Sequence, residues 1–128
     1  MKNGKTILII DDDEDFASAL RKILATAGYH ILTAGDAKEG MNVLETTHPD
    51  LILLDVMMEQ YDDGFTMCSA IKHDDRLKDI PVIIVTAVTE VTGLKFDPAT
   101  DGEYLEAEAL LRKPIKPDEL LGKIAELI

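Results

Sequence analysis

The sequence predicts an α/β fold in which five parallel strands form a doubly wound sheet with helices on both faces. Three mainly apolar runs, 6–10, 51–54 and 82–85, show no alternation with polar residues, which is typical of strands buried on both faces. The segments between them carry apolar residues at helical spacing instead. Strand and helix therefore alternate, and right-handed crossovers bring such strands into one parallel sheet.

The first half of the chain supplies three strands and two helices. After the first strand, apolar residues share one helical face and Gly28 follows as a C-terminal cap. This stripe consists of Phe16, Leu20, Ile23, Leu24 and Ala27. A weaker strand is predicted at 30–33. Asp36, with Glu39 three residues later, is typical of a helix start, and this second helix ends before Pro49, which precedes the strand at 51–54.

The second half continues the alternation. A third helix is predicted to begin near Gly64, and Cys68 and Ile71 lie on its apolar face. The strand at 82–85 and a weaker strand at 109–112 follow. A last helix begins at Pro117, since proline is favoured at the first helical position.

The segment 87–107 is the exception to this regular pattern. Gly93, Pro98 and Gly102 interrupt it at intervals too short for a stable helix. Long connections without secondary structure are usually functional or disordered. We therefore expect a largely irregular, partner-facing loop in place of a full fourth helix, with a tolerated surface insertion as the alternative.

The length and composition indicate one compact domain that does not enter a membrane. A chain of 128 residues with 46% hydrophobic content fits one compact domain spanning 1–128. No stretch approaches the roughly 18 uncharged apolar residues of a membrane helix, and no signal-peptide pattern opens the chain, so we expect a cytoplasmic protein that does not enter a membrane. The single cysteine, Cys68, indicates a reduced compartment and a buried structural role. A net charge of -12 argues against direct binding of nucleic acid and suits a cation site.

Acidic residues follow two strands that are expected to be neighbours. Asp11, Asp12 and Asp13 follow the first strand, and Asp55 follows the third. Two such charges about 4 Å apart repel by ~4 kcal/mol at an effective dielectric constant of ~20, so the cluster requires protonation or a cation. Mg²⁺ prefers oxygen ligands and is the better partner at neutral pH. The alternative is that these aspartates cap the next helix, which we expect of Asp13 or Glu14.

Two further strand ends carry complementary chemistry. The fourth strand ends in Thr86 and the fifth in Lys113, so a hydroxyl and an ammonium group should face the aspartates across one crevice. This set can bind a tetrahedral phosphoryl group. In that interpretation Asp55 is the nucleophile that attacks phosphorus, while the metal and Lys113 neutralise the phosphoryl oxygens and Thr86 donates a hydrogen bond.

These residues resemble the receiver domains of two-component response regulators along essentially the whole chain. The matching segments are 7–13, 49–58, 85–87 and the pair Lys113-Pro114. The resemblance implies a flavodoxin-like sheet with strand order 2-1-3-4-5. It also implies a Mg²⁺ site formed by Asp11, Asp12, Asp55 and the backbone carbonyl of Met57, and phosphorylation of Asp55 by a sensor histidine kinase or a phosphotransfer protein.

The same resemblance assigns the remaining roles. Thr86 is the switch hydroxyl, Lys113 bridges to the phosphoryl group, and the bond between Lys113 and Pro114 is expected to be cis. Met57 and Val88 are expected to tune how fast the phosphoryl group is lost. A downstream protein is the expected target of the switch, and a homodimer is left open.

The chain departs from the family pattern at three places. Glu59 replaces the usual proline four positions after the phosphoacceptor, and the Asp63-Gly64 pair falls one residue late, which predicts a reshaped loop. Leu110 replaces the usual aromatic switch residue, and the segment between Thr86 and Lys113 is longer than is typical. We expect intact phosphorylation chemistry and an altered output mechanism.

Two other functions stay open at this level. A Mg²⁺-dependent phosphohydrolase of the haloacid dehalogenase type would place its nucleophile after the first strand, and Asp11 and Asp13 satisfy its Asp-x-Asp spacing. A phosphorylation-independent interaction module would keep the fold without the chemistry. The histidines at 30, 48 and 73 are not near the aspartates in the predicted topology, and we interpret all three as structural or surface residues.

Overall fold

A computed structural model describes residues 4–55, 63–86, 107–113 and 115–128, with the backbone alone at 63–66 and 86. The strands are β1 (Thr6–Ile10), β2 (His30–Ala34), β3 (Leu51–Asp55), β4 (Val82–Thr86) and β5 (Ala109–Arg112). The helices in this part of the chain are α1 (Glu14–Thr26), α2 (Ala37–Thr46), α3 (Asp63–Lys72) and α4 (Pro117–Leu127). Every predicted strand and helix of the described ranges is present, with boundaries within a few residues of those expected.

The five strands form one sheet in the order β2-β1-β3-β4-β5, and all neighbouring pairs are parallel. The predicted fold class and strand order are therefore confirmed. The chain moves outward in opposite directions from the β1–β3 pair, so the switch point of the sheet lies between these two strands. In sheets of this kind the ligand site lies beyond the carboxyl ends of the strands at that point.

The three central strands are buried on both faces, as the absence of alternation predicts. No residue of 7–10, 51–54 or 82–85 is more than 2% exposed. Side chains of β1 alternate between two cores: Leu8 and Ile10 lie in the core that includes residues of α2 and α3, and Ile7 and Ile9 lie in the core that includes residues of α1 and α4. Burial of this apolar surface is the main stabilising contribution, at roughly 25 cal/mol per Å².

Side-chain caps fix where the first two helices begin. Asp13 is the N-cap of α1, where its Oδ1 accepts a hydrogen bond from the Phe16 N–H at 3.1 Å. Asp36 caps α2 in the same way through the Glu39 N–H at 2.7 Å. Gly28 has φ of 100°, a conformation that residues with a Cβ rarely adopt, and it turns the chain from α1 into β2. The expectation that Asp13 caps the first helix is confirmed.

Helix α2 approaches the sheet closely at Gly40. A Cβ built on this residue would lie 2.7 Å from Ile10 Cδ1 and 2.9 Å from Met67 Cε, both closer than normal packing allows. Gly40 is buried inside α2, where glycine lowers helix stability by about 1 kcal/mol relative to alanine. The close approach of α2 to β1 and α3 therefore accounts for a glycine at this position.

Side-chain hydrogen bonds and an ion pair join the loops at the amino edge of the sheet, the edge at which the strands begin. The Lys72 side chain is only 7% exposed, and its ammonium group donates to the Ile80 carbonyl and to Glu108 Oε2, each at 2.8 Å. Glu108 Oε1 accepts from the Val82 N–H at 2.8 Å. The end of α3, the start of β4 and the approach to β5 are thus connected through one ion pair.

Two more side chains act at the same edge. The Thr6 N–H donates to Asp50 Oδ2 at 2.7 Å, which joins the start of β1 to the residue before β3. Arg76 donates from its guanidinium to the Leu44 carbonyl and so satisfies a carbonyl in the last turn of α2. The residue before β3 is therefore attached to β1, and the segment after α3 is attached to α2.

The histidines and the cysteine occupy the structural positions that were predicted. His30, His48 and His73 are all exposed. His30 begins β2 at the amino edge, and His48 lies 3.2 Å through Nε2 from the Arg76 carbonyl. Cys68 is 2% exposed within the core beneath α3. Among the described residues, no helix has the length and apolarity needed to cross a membrane.

One prediction about the fold falls on residues that the structure does not describe. The expected irregular loop at 87–107 lies outside the described residues except for Ala107, which is partly buried against the core beneath α2 and α3. The irregular or shortened fourth helix stays a prediction.

Candidate functional site

The structure brings three of the predicted aspartates together at the switch point. Ile10 of β1 is paired with Leu54 of β3, so Asp11 and Asp55, the next residues of each strand, lie side by side at the carboxyl edge. Both are buried, at 4% and 2% exposure, while Asp12 is exposed. One carboxylate oxygen from each of these three residues lies within 4.8 Å of the others.

Local hydrogen bonds fix the orientation of Asp11. Its backbone N–H donates to the Ala34 carbonyl of β2 at 3.0 Å, which extends the sheet by one residue. Its Oδ1 accepts from the Asp13 N–H at 2.8 Å. The other oxygen, Oδ2, faces Lys113 at 3.3 Å. The carboxylate is therefore held in place by its own turn before any ligand binds.

Burial changes the proton affinity of this group. The pKa of Asp11 is raised from 3.8 to about 6, first because burial disfavours the charged form and further because Asp55 lies beside it. The hydrogen bond from the Asp13 N–H and the charge of Lys113 act in the opposite direction. The described residues thus neutralise the negative charge of the crevice only in part. An added cation would favour the ionised form of Asp11.

Lys113 joins the cluster because of the register of β5. Thr86, the last residue of β4, is paired with Arg112, so Lys113 follows at the carboxyl edge. Its Nζ lies 3.3 Å from Asp11 Oδ2 and 3.4 Å from Asp55 Oδ2, and its side chain is 19% exposed. The same Nζ lies 4.1 Å from the centre of the Phe16 ring.

The other residues of the predicted site are described less completely or not at all. The backbone of Thr86 ends β4 next to Asp55 of β3, because Asp55 is paired with Val85, the residue before Thr86. Met57, Val88 and Pro114 lie outside the described residues, as does the peptide bond predicted to be cis. Glu59 and the loop that it was expected to reshape also lie outside them.

Leu110, which stands where the family has an aromatic residue, lies in the middle of β5. It is partly buried and packs against the core beneath α2 and α3. Leu110 therefore packs as a core residue on one face of the sheet.

The donor set fits a hard divalent cation. Three carboxylates, two of them buried, offer oxygen ligands at the open end of a sheet. Asp13 does not share this role, because its carboxylate accepts the Phe16 N–H as the helix cap and is exposed. The pair that could form the Asp-x-Asp motif of a phosphohydrolase is therefore divided between two tasks, whereas Asp11 and Asp55 face each other.

Sequence reasoning missed one neighbour of the site. Phe16 was interpreted only as part of the apolar stripe of the first helix, yet its ring contacts the Lys113 ammonium group. Its position in the first turn after the aspartates indicates that it lies near the crevice. The contact with Lys113 depends on the order of the strands and could not be inferred from spacing.

Proteins with named regulatory roles are similar in sequence to this chain. The family model of the response regulator receiver domain matches residues 7–125. The chain is 35% identical over 122 residues to the DNA-binding dual master transcriptional regulator RpaA of Synechocystis, covering 95% of this chain and 48% of that protein. It is 32% identical over 125 residues to the alkaline phosphatase synthesis transcriptional regulatory protein PhoP of Bacillus subtilis, covering 98% of this chain and 49% of that protein. The chain thus spans about half the length of these relatives.

Solved structures agree with the family match. The signal receiver domain of a signal transduction histidine kinase from Syntrophus aciditrophicus superposes with a TM-score of 0.83 at 29% identity, covering 97% of this chain and 89% of that one. The chemotaxis response regulator CheY4 of Vibrio cholerae superposes with a TM-score of 0.81 at 25% identity, covering 97% and 98%. With the sheet order and the paired aspartates at its switch point, the chain belongs to the response regulator receiver domains of two-component systems.

Proposed function

We propose that Asp55 accepts a phosphoryl group from a sensor histidine kinase or a phosphotransfer protein in a Mg²⁺-dependent reaction. The phosphorylated state then changes a surface that binds a downstream protein. One observation carries this proposal: the buried Asp55 carboxylate lies at a strand end with two other carboxylates and an ammonium group around it. The receiver family of the chain supports the same assignment.

The arrangement suits transfer to a carboxylate. A carboxylate oxygen of Asp55 forms a bond to phosphorus while the bond between phosphorus and the donor breaks, and the product is an aspartyl phosphate. Lys113, 3.4 Å from Asp55 Oδ2, is placed to neutralise negative charge on the transferred group. The Thr86 hydroxyl is proposed to donate a hydrogen bond to that group.

Asp11, Asp12, Asp55 and the Met57 carbonyl would hold the Mg²⁺ ion. When bound, the ion offsets the negative charge of the carboxylates and of the incoming phosphoryl oxygens. The Asp11 carboxylate is held in the crevice by the hydrogen bond that its Oδ1 accepts from the Asp13 N–H. The described carboxylates alone repel one another, which explains why a cation would bind there.

Uptake of a phosphoryl group from acetyl phosphate tests the proposal. With Mg²⁺ present, the intact mass of the protein should increase by one phosphoryl group, and chelation should abolish the increase. Asp55→Asn should not be labelled at that position. Asp75→Asn, which alters a fully exposed aspartate beyond α3, is the matched control and should be labelled like the wild type. Labelling of Asp55→Asn as readily as the wild type would show that the acceptor is elsewhere.

The phosphohydrolase alternative requires turnover of an external substrate. The family is one of signalling proteins, and we propose that this chain promotes only its own phosphorylation and dephosphorylation. The capping role of Asp13 supports this choice over an Asp11-x-Asp13 nucleophile site. Sustained hydrolysis of p-nitrophenyl phosphate that survives Asp55→Asn but not Asp11→Asn would favour the phosphohydrolase. The interaction-module alternative predicts that no label is taken up.

The wider setting is proposed on the same basis. Residues 1–128 are proposed to form one receiver domain, and the family match over 7–125 supports this. We propose a cytoplasmic protein whose partners are a kinase and a target protein, with a homodimer left open. RpaA is a DNA-binding regulator, but this chain matches only half of it, and the net charge of -12 supports the view that this domain does not itself contact nucleic acid.

A further inference from the structure

We infer that Phe16 is a positioning residue for Lys113: its ring holds the ammonium group over the Asp11–Asp55 crevice and keeps it there when ligands occupy the carboxylates. This inference rests on the proposed role of Lys113 in phosphorylation. It assigns the positioning of Lys113 to a side chain of the first helix that is neither a proposed metal ligand nor the phosphoacceptor.

The Lys113 ammonium group and the Phe16 ring are in cation–π contact. Lys113 Nζ lies 4.1 Å from the centre of the Phe16 ring, well inside the ~6 Å limit for a cation–π interaction. Lys113 is only 19% exposed, so water competes weakly for the ammonium group. Aromatic rings attract cations through the negative charge of their faces, and the attraction grows as water is excluded.

The backbone that carries the Phe16 ring is held in place next to the crevice. The Phe16 N–H donates to Asp13 Oδ1 at 3.1 Å, and the Asp13 N–H donates to Asp11 Oδ1 at 2.8 Å. Asp11 Oδ2 in turn lies 3.3 Å from Lys113 Nζ. Contacts therefore run in a closed circuit from Asp11 through Asp13, Phe16 and Lys113 back to Asp11. The backbone of Phe16 is thus linked through Asp13 to the carboxylate that faces Lys113.

Ligand binding affects the contacts of Lys113 with the carboxylates but not its contact with the ring. The carboxylates that attract Lys113, those of Asp11 and Asp55, are the same groups proposed to bind the cation and to accept the phosphoryl group. Their attraction for the lysine weakens once a cation neutralises them. Of the Lys113 contacts found in the described ranges, the one with the Phe16 ring involves no group that either ligand would take. The ring therefore provides an attachment that is independent of the ligand state.

The simpler interpretation is that Phe16 only covers the core. It does pack against the core that includes residues of α1 and α4, and it is partly buried. If the role is purely apolar, leucine should lower stability through its smaller volume and leave the phosphorylation rate unchanged, whereas a cation–π role requires an aromatic face. The two interpretations therefore differ in what Phe16→Leu and Phe16→Tyr would do.

Phosphorylation by acetyl phosphate with Mg²⁺ is the kinetic test, because a small donor avoids any effect on kinase docking. Phe16→Leu should lower the rate constant roughly threefold to tenfold, the range expected for a partly buried cation–π contact. Phe16→Tyr keeps the ring and should stay within about twofold of the wild type. Leu121→Ala, which removes apolar surface from the same core on α4, is the control and should leave the rate unchanged.

A second readout observes the lysine without any reaction. Methylene protons beside the face of a ring shift upfield in the NMR spectrum, so the Lys113 ε-protons of the metal-free protein should lose this shift in Phe16→Leu and keep it in Phe16→Tyr. A double-mutant cycle completes the test, since Phe16→Leu should have no further effect on the rate once Lys113→Ala has been introduced.

The outcomes separate this inference from the proposed function. If Phe16→Leu reacts at the wild-type rate, or if its loss persists undiminished in Lys113→Ala, the positioning role is wrong while phosphorylation of Asp55 stands. The positioning role is also wrong if Phe16→Tyr is as impaired as Phe16→Leu at an equal free energy of unfolding. If the wild type takes up no label, or Asp55→Asn takes it up equally, the proposed function itself fails.

Discussion

Replacing Asp11 with asparagine should stabilise the protein in the absence of metal, although it removes a residue proposed to bind Mg²⁺. Asp11 is buried beside Asp55, and its pKa is raised to about 6 from an ordinary value of 3.8. Ionising this group therefore costs more in the folded protein than in the unfolded chain. Asparagine has nearly the same shape, and its Oδ1 can still accept the Asp13 N–H.

The magnitude follows from the two pKa values. Because the folded pKa is the higher one, the contribution of Asp11 to stability is fully present below about pH 3.8 and is lost as the pH rises through about 6. The loss is roughly 1.6 kcal/mol by about pH 5 and roughly 3 kcal/mol by about pH 7.5. Asp11→Asn should escape this loss, so its advantage over the wild type should grow by about 1.4 kcal/mol between those two pH values.

Urea unfolding at the two pH values, with a chelator present, measures this difference. Urea is preferred because guanidinium chloride would screen the charges. Asp75→Asn removes the same formal charge from a fully exposed side chain and should change the free energy of unfolding little at either pH. Added Mg²⁺ should raise the free energy of unfolding of the wild type more than that of Asp11→Asn.

Two results would refute this reasoning. One is a metal-free Asp11→Asn protein that is no more stable than the wild type near neutral pH. The other is an advantage that is the same at both pH values, since a gain independent of pH would come from packing and not from the carboxylate charge.

Three further substitutions test the packing and the amino edge by urea unfolding. Gly40→Ala should destabilise by about 1 kcal/mol, because overpacking against Ile10 outweighs the gain in helix propensity; equal or greater stability would mean that the helix can move away. The same change at Gly122 of α4, where a new Cβ meets no atom within 4 Å, should stabilise by about 1 kcal/mol, and a loss would show that an unrecognised contact exists there. Lys72→Met should destabilise by roughly 1–3 kcal/mol, because it leaves Glu108 without its cation; an unchanged midpoint would exclude a structural role for the ion pair.

Much of the fold could be predicted because the local signals agree with one another. The runs at 51–54 and 82–85 are short, rich in branched side chains and apolar at every position, a pattern typical of strands buried on both faces. Asp36 followed by Glu39 marks the start of α2 by a hydrogen bond between neighbours in sequence. Such features depend on residues a few positions apart, so they can be identified directly from the sequence.

The site was predictable to the extent that it depends on strand ends. Asp11, Asp55 and Lys113 each follow a strand, and parallel strands end at the same edge of a sheet, so their meeting follows from topology. The raised pKa of Asp11 and the ring of Phe16 against Lys113 depend on burial and on distances between elements far apart in the chain. Spacing along the sequence carries no information about either.

The ties at the amino edge have a consequence for hydrogen exchange. The Val82 amide donates to Glu108, which Lys72 holds in an ion pair, and the Thr6 amide donates to Asp50, whose own N–H donates back to the Thr6 carbonyl at 2.7 Å. Amides of core strands exchange with solvent only when a large cooperative unit opens. We therefore expect exchange at Thr6 and Val82 to report global unfolding and to be insensitive to phosphorylation. On this basis we expect the amino edge to act as a fixed frame, with exchange linked to phosphorylation confined to the opposite edge of the sheet.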